Sequence, residues 1–235
     1  MIVAVAGGKG GVGKSTVSLN LGRELDAVVV DADLSTADLP RGHGADLHDV
    51  LAGRSAPLDA VESFGQVRIL PCGRTLAGAR ASALTELPRV VDRLEREFGR
   101  VVIDCPAGLA RDVGRQLESA HAAVLVTTPT ESALVDALRT RAVALELETP
   151  IAAVVLNRAT ADEADGHEQL AARVERKLGA PTTTVAERPA VDNAMEEGRP
   201  VRDVSPDCDV SDAFESVARS VERCEGNRSV HIGVR

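Results

Sequence analysis

Short apolar runs alternate along this chain with stretches whose apolar residues recur every three to four positions. The runs Ile2–Ala6, Ala27–Asp31, Val67–Leu70, Val101–Asp104, Ala122–Thr127 and Ile151–Leu156, with a weaker one at Thr182–Val185, are rich in Val, Ile and Ala. Being apolar at successive positions, they predict strands covered on both faces. Between them, Leu84, Leu87, Val90, Val91 and Leu94 share one face of a helix, as do Leu134, Ala137, Leu138, the Arg141 stem and Leu145. Leu170, Val174 and Leu178 mark a third helix, and Val210, Ala213, Phe214, Val217 and Val221 a last one. This alternation predicts one α/β domain, a mostly parallel sheet with helices on both faces and ligands at the carboxyl ends of the strands. Residues 159–168, polar and acidic around Gly166, predict a solvated loop. Residues 225–235, carrying Gly226 and Gly233, predict a flexible tail behind a domain of residues 1–224.

Composition narrows the class. Apolar runs such as Ile151–Leu156 fall far short of the roughly 20 residues of a spanning helix. The first residues enter a strand with no secretory pattern, so a cytoplasmic location is expected. Against 36 acidic residues stand 27 basic ones, for a net charge of −9. With no Trp, no Tyr and three Phe, the chain has little with which to stack on bases, and no DNA contact is expected. Cys72, Cys105, Cys208 and Cys224 form no C-x-x-C pair, and the five histidines show no ligand spacing. Only Lys9, Lys14 and Lys177 are lysines; every other basic residue is Arg. Two of these three compact ammonium groups sit in one glycine-rich stretch, where a flexible point charge suits a phosphate.

That stretch, Gly8-Lys9-Gly10-Gly11-Val12-Gly13-Lys14-Ser15, matches G-x-x-x-x-G-K-[ST] after a strand and before a helix. Glycines let backbone N–H groups turn inward around phosphate oxygens, and the helix N-terminus adds partial positive charge. The pattern predicts that Gly8, Gly10, Gly11, Val12, Gly13, Lys14, Ser15 and Thr16 bind ATP or ADP. Lys14 would reach the β- and γ-phosphates and the Ser15 hydroxyl would ligate Mg²⁺. The run Val101–Asp104, continued by Cys105-Pro106-Ala107-Gly108, is an apolar strand ending in an acid, which predicts Asp104 on the magnesium side of the site. Asp31-Ala32-Asp33 ends another strand at the same edge.

With Lys9 ahead of Lys14, the loop resembles the MinD/ParA-type deviant Walker A ATPases. Asp104-Cys-Pro-Ala-Gly, Ile69-Leu-Pro-Cys-Gly and Val154-Val-Leu-Asn157-Arg158 are most similar to the MinD branch, and the resemblance runs from about residue 2 to 222. It implies an ATPase that dimerises around ATP, acts as a switch positioning division, motility or surface-structure components, and is reset by hydrolysis with the help of an activating or cargo protein. It implies that Lys9 reaches the partner subunit's phosphates, where facing triphosphates need a cation from the opposite side. It further implies that Asp33 orients the attacking water and joins the metal shell, supported by Asp31. Gly108 would sense the γ-phosphate, and Asn157 with Arg158 would meet adenine. Three departures stand out: Asp38 where Asn is usual, Val185-Ala186-Glu187 in place of Ile-Pro-Glu, and a tail without a basic amphipathic helix, so no direct membrane anchor is expected. A DNA-partition ATPase and an iron–sulfur-carrier ATPase are the alternatives.

Overall fold

A computed structural model describes residues 1–34, 38–73, 75, 77–78, 82–108, 111–160 and 164–232. Eight strands form one sheet: β1 (Ile2–Ala6), β2 (Val28–Asp31), β3 (Glu62–Phe64), β4 (Val67–Leu70), β5 (Val101–Asp104), β6 (Ala122–Thr127), β7 (Ile151–Ala159) and β8 (Thr182–Ala186). Their order is β3-β4-β2-β5-β1-β6-β7-β8, and only β3 with β4 is antiparallel. The helices are α1 (Lys14–Glu24), α2 (Leu47–Leu51), α3 (Leu87–Phe98), α4 (Arg111–Glu118), α5 (Glu131–Glu146), α6 (Ala164–Leu178), α7 (Pro189–Glu196), α8 (Val201–Val204) and α9 (Val210–Ile232).

Period-two geometry sorts each central strand between two cores. Val3, Val5 and Val29 pack with Leu19 and Leu21 of α1 and Phe214 and Val217 of α9. Ile2, Ala4, Val28 and Val30 face the other way, onto Leu87, Val91 and Leu94 of α3 and Leu117 of α4. Because β1 lies between β5 and β6, while the chain leaving β1 crosses to β2, the carboxyl ends of β1, β2 and β5 gather at the middle of one sheet edge.

The structure corrects three expectations. Of residues 159–168, Ala159 ends β7 and α6 begins at Ala164; 161–163 lie outside the described residues. No break follows Cys224, because α9 runs on through Gly226 to Ile232. An interior glycine weakens a helix by only about 1 kcal/mol. Here Arg100 brackets the segment with ion pairs to Glu222 at 3.1 Å and Glu225 at 3.0 Å. The third concerns α5, whose buried face is Ala133, Ala137, Thr140 and Ala144, whereas Leu138 and Leu145 are exposed. Small side chains let α5 approach closely. A Cβ at Gly8 would stand 2.6 Å from the Asp136 Cβ, so helix and glycine loop are already in contact.

Candidate active site

β1 is buried along its whole length and delivers the chain into the glycine loop. A Cβ at Gly7 would lie 2.6 Å from the Val126 carbonyl oxygen, so the loop starts wedged against β6. Gly11 and Gly13 take φ of 76° and 95°, left-handed values that L side chains adopt only with strain. Gly13 then caps α1 without any side-chain bond, and the first turn holds no acidic residue. Backbone donors at this helix start are therefore not spent on an internal anion. Lys14 folds back over the loop, its Nζ donating to the Lys9 carbonyl at 3.4 Å, and is 8% exposed.

Facing this loop are two acids. Asp31 and Asp104 are register partners at the ends of β2 and β5, and both are buried. Burial pushes the Asp104 carboxyl up to about 6; hydrogen bonds from Ser15 and Ser18 and the Lys14 charge pull the other way. The Ser18 Oγ donates to Asp104 at 2.9 Å. Asp31 is likewise raised well above the usual carboxylate range, by burial first and then by the charge of Asp104. It accepts from the backbone N–H groups of Asp33 at 3.3 Å and Leu39 at 3.4 Å. Asp33 itself is close enough for its charge to act on both acids.

These oxygens fit magnesium. Carboxylate and hydroxyl are the hard donors it prefers, and a bound cation would favour the ionised form of two neighbouring buried acids that otherwise resist ionisation. Among the described residues no group of three or more His, Cys, Asp or Glu side chains is arranged to hold a metal. Magnesium usually keeps several waters and binds through one or two carboxylates plus phosphate oxygens, so a sparse protein shell suits it.

Beside the loop opens a cleft of about 470 Å³, lined by Lys9, Gly10, Gly11, Val12, Thr128, Pro129, Thr130, Arg158, Thr160 and Glu187. Arg158 reaches it through a break in the β7–β8 register after Leu156, with φ of 58°. Such an irregularity re-aims a side chain at the end of a strand. Asn157, which resemblance put against adenine, is 6% exposed, and its Nδ2 donates to the Val12 carbonyl at 2.9 Å. It lies against Gly13, where any β-carbon would run into its carboxamide. Lys9 donates to the Ser132 hydroxyl of its own chain at 3.0 Å. Gly10 looks across at Ala107, 3.7 Å from where its Cβ would be. Gly108, at φ of 90°, has open space around the position of a β-carbon, and Thr16 sits behind Gly13 with its carbonyl taken by Asn20 at 2.8 Å.

Ser18, bonded to Asp104, lies outside every motif read from the sequence, and Glu187, the acid of the Val185-Ala186-Glu187 segment, lines the cleft although no motif assigns it a role. Ser18 lies one turn beyond Ser15, a spacing that sets both hydroxyls on one helix face. Glu187 directly follows β8, a strand whose carboxyl end borders the cleft.

A protein-family profile described as ParA, NUBPL iron-transfer P-loop NTPase, matches residues 1–222. An uncharacterized ATP-binding protein of Methanocaldococcus jannaschii is 36% identical over 173 residues, covering 69% of this chain and 66% of that protein. The crystal structure of the cell division ATPase MinD of Pyrococcus furiosus superposes with a TM-score of 0.84 at 31% identity, covering 94% of this chain and 98% of that one. The septum site-determining protein MinD of Pyrococcus horikoshii, complexed with Mg-ADP, gives 0.84 at 29% identity, covering 96% and 97%. Matched from its first residue to the middle of its last helix, the chain belongs to the ParA family of P-loop NTPases.

Proposed function

We propose that this protein is a cytoplasmic MinD-like ATPase whose ATP-bound form is a sandwich dimer, and that hydrolysis to ADP and phosphate resets it. The observation that carries this reading is the convergence of the Gly8–Ser15 loop, the buried Lys14 and the Asp31–Asp104 pair at one sheet edge. Loop N–H groups and the Lys14 ammonium hold the β- and γ-phosphates. Ser15 and Asp104 would hold magnesium, and the Asp33 and Asp31 carboxylates would add negative charge beside it. Bound there, the ion would offset negative charge on the phosphates and the two acids.

Asp33 orients a water in line with the γ-phosphorus. A bond forms from the water oxygen to phosphorus, the bond to the β–γ bridging oxygen breaks and its electron pair leaves with ADP, and the proton the water loses ends on the released phosphate. The Gly108 N–H registers whether the γ-phosphate is present. Lys9, exchanging Ser132 for a phosphate of the facing subunit, supplies the cation that a face-to-face arrangement requires. Arg158 and Glu187 border the base and ribose end of the cleft. The switch would position cellular components through an activating or cargo protein.

An iron-transfer role, named in the family description, calls for thiols able to meet a cluster. Cys72 and Cys105 are buried with thiols pushed far up by burial; Cys208, in the turn before α9, and Cys224, within α9, are half-buried. That arrangement favours the switch. Sizing the Asp33→Ala protein with and without Mg-ATP is the test: a doubling of mass with nucleotide supports the dimer, and a mass that stays put removes it.

A further inference from the structure

Gln116 shares the buried face of α4 with Val113 and Leu117. The two apolar residues belong to the core that covers one side of the sheet. Gln116 has no such reason to be there. A carboxamide taken out of water loses hydrogen bonds at both its ends, and it stays buried where the protein replaces them. One end is replaced, because Nε2 donates to the Ala32 carbonyl at 2.8 Å. A carbonyl only accepts, so the atom facing Ala32 has to be the nitrogen. The other end, Oε1, is buried without a hydrogen-bond partner among the described residues. A leucine or methionine would fill a similar volume with no orphaned oxygen, so packing does not account for this residue.

What the bond restrains is the link between two acids. Ala32 separates Asp31 from Asp33, and its own N–H donates to the Asp104 carbonyl at 3.0 Å, just past the end of the β2–β5 ladder. The peptide unit joining Ala32 to Asp33 carries the Ala32 carbonyl and the Asp33 N–H. Gln116 holds the first, and the Asp31 carboxyl holds the second at 3.3 Å. A peptide unit is planar, so fixing both of its polar atoms fixes its rotation and the direction in which Asp33 leaves the chain. α4 is itself anchored at its far end, where the Thr149 hydroxyl donates to the Leu117 carbonyl at 2.9 Å. The helix therefore reaches from a fixed point to the backbone between the two acids.

We propose that Gln116 is a positioning residue, which sets the Ala32–Asp33 peptide from α4 and thereby aims the Asp33 carboxylate. Its effect on turnover rests on the ATPase reading above; the restraint on the peptide does not. A group that orients a water has to be held closely, since misplacement by about 1 Å costs on the order of 10²-fold in rate. Gln116 is not among the residues lining the cleft beside the glycine loop. Its loss should therefore fall on kcat and spare KM for ATP.

The experiment compares full-length wild type, Gln116→Met and Gln116→Asn by phosphate release, thermal unfolding and amide hydrogen exchange. Gln116→Met removes the donor at nearly constant volume. Gln116→Asn keeps a carboxamide but draws it back by one methylene, and it carries the test if the first variant does not fold. Each should lower kcat about tenfold or more and leave KM for Mg-ATP within about threefold. Exchange of the Ala32 and Asp33 amides should quicken about tenfold, with the unfolding midpoint close to that of wild type. Val113→Ala, which loosens the same helix without touching Ala32, should lower the midpoint yet keep kcat within about twofold. On an Asp33→Ala background, Gln116→Met should cost no further turnover, because it acts through that carboxylate. Unchanged kcat, a rise in KM in its place, unchanged exchange, a further loss without Asp33, or an equal fall in Val113→Ala would each overturn the proposal. A wild type that releases no phosphate would remove the ATPase reading instead, and the exchange of the two amides would still decide for or against Gln116.

Discussion

Asp31 and Asp104 stand opposite one another as the last register pair of β2 and β5, each carboxyl withdrawn from solvent. Parallel strands in register bring like side chains level with each other, so the same pairing that builds the sheet creates the repulsion. Burial first, with the charge of Asp104 adding to it for Asp31, makes both acids harder to ionise than in the unfolded chain.

The pH dependence follows from that direction. With a folded value of about 6 against an unfolded one of 3.8, Asp104 binds its proton more tightly in the native state. Its stability contribution is therefore full below about pH 4 and is lost as pH rises through about 6, a span worth roughly 3 kcal/mol. Denaturant titrations of metal-free wild type and Asp104→Asn between these limits check it. The variant should gain on wild type as pH rises, and Mg-nucleotide should reverse the order by stabilising wild type alone.

Gly13→Ala combines a left-handed φ of 95° with a methyl aimed into the Asn157 carboxamide. Loss of about 1–3 kcal/mol of stability is expected, together with loss of nucleotide affinity. Adding Asn157→Ala should restore part of the stability, because the strain of φ remains while the collision goes. Calorimetric unfolding of the three variants measures both parts.

Asn157→Ala by itself separates two roles. If the carboxamide serves mainly to hold the Val12 carbonyl, ATP and GTP should both bind about tenfold more weakly, in the range set by one buried hydrogen bond to the loop. A base-reading carboxamide would change the ATP-to-GTP ratio instead. The first outcome is expected, and competition titrations with both nucleotides decide.

Lys14→Ala should abolish nucleotide binding, since no other described cation lies folded over the loop. Lys9→Ala should retain ATP but stay monomeric on sizing columns, while Ser132→Ala, which removes only the resting partner of Lys9, should dimerise as wild type does. A Lys9→Ala dimer as tight as wild type would remove the cross-subunit role.

Asp33→Ala should lower turnover by a factor of 10² or more, on the order of removing a water-positioning group, while leaving ATP binding within a few-fold. Phosphate release in the presence of excess ATP measures it, and undiminished release would take Asp33 out of the mechanism.

Strands and chemistry were legible in the chain because both depend on neighbours in sequence. Seven apolar runs announced seven of the eight strands; β3, three residues long and only half-buried, is defined by pairing with β4 rather than by its own pattern. The glycine loop could be read from spacing, since left-handed turns, inward N–H groups and a following lysine are local requirements. The α5 face was misread for a physical reason. Periodicity marks where apolar residues recur, but close approach to the loop at Gly8 selects the smallest of them for the interior, leaving Leu138 and Leu145 outside.

The order of residues alone dictated an alternating α/β domain with a phosphate-binding turn after its first strand, because propensity, periodicity and turn chemistry act over a few residues. Folding settled the rest: that Asp31 and Asp104 share a level, that Ser18 reaches Asp104, that Asn157 reaches back 145 residues to brace Val12, and that α9 passes through Gly226. The first three join segments distant in the chain, and a contact between distant segments is fixed by strand order and packing distance, neither of which any local pattern encodes.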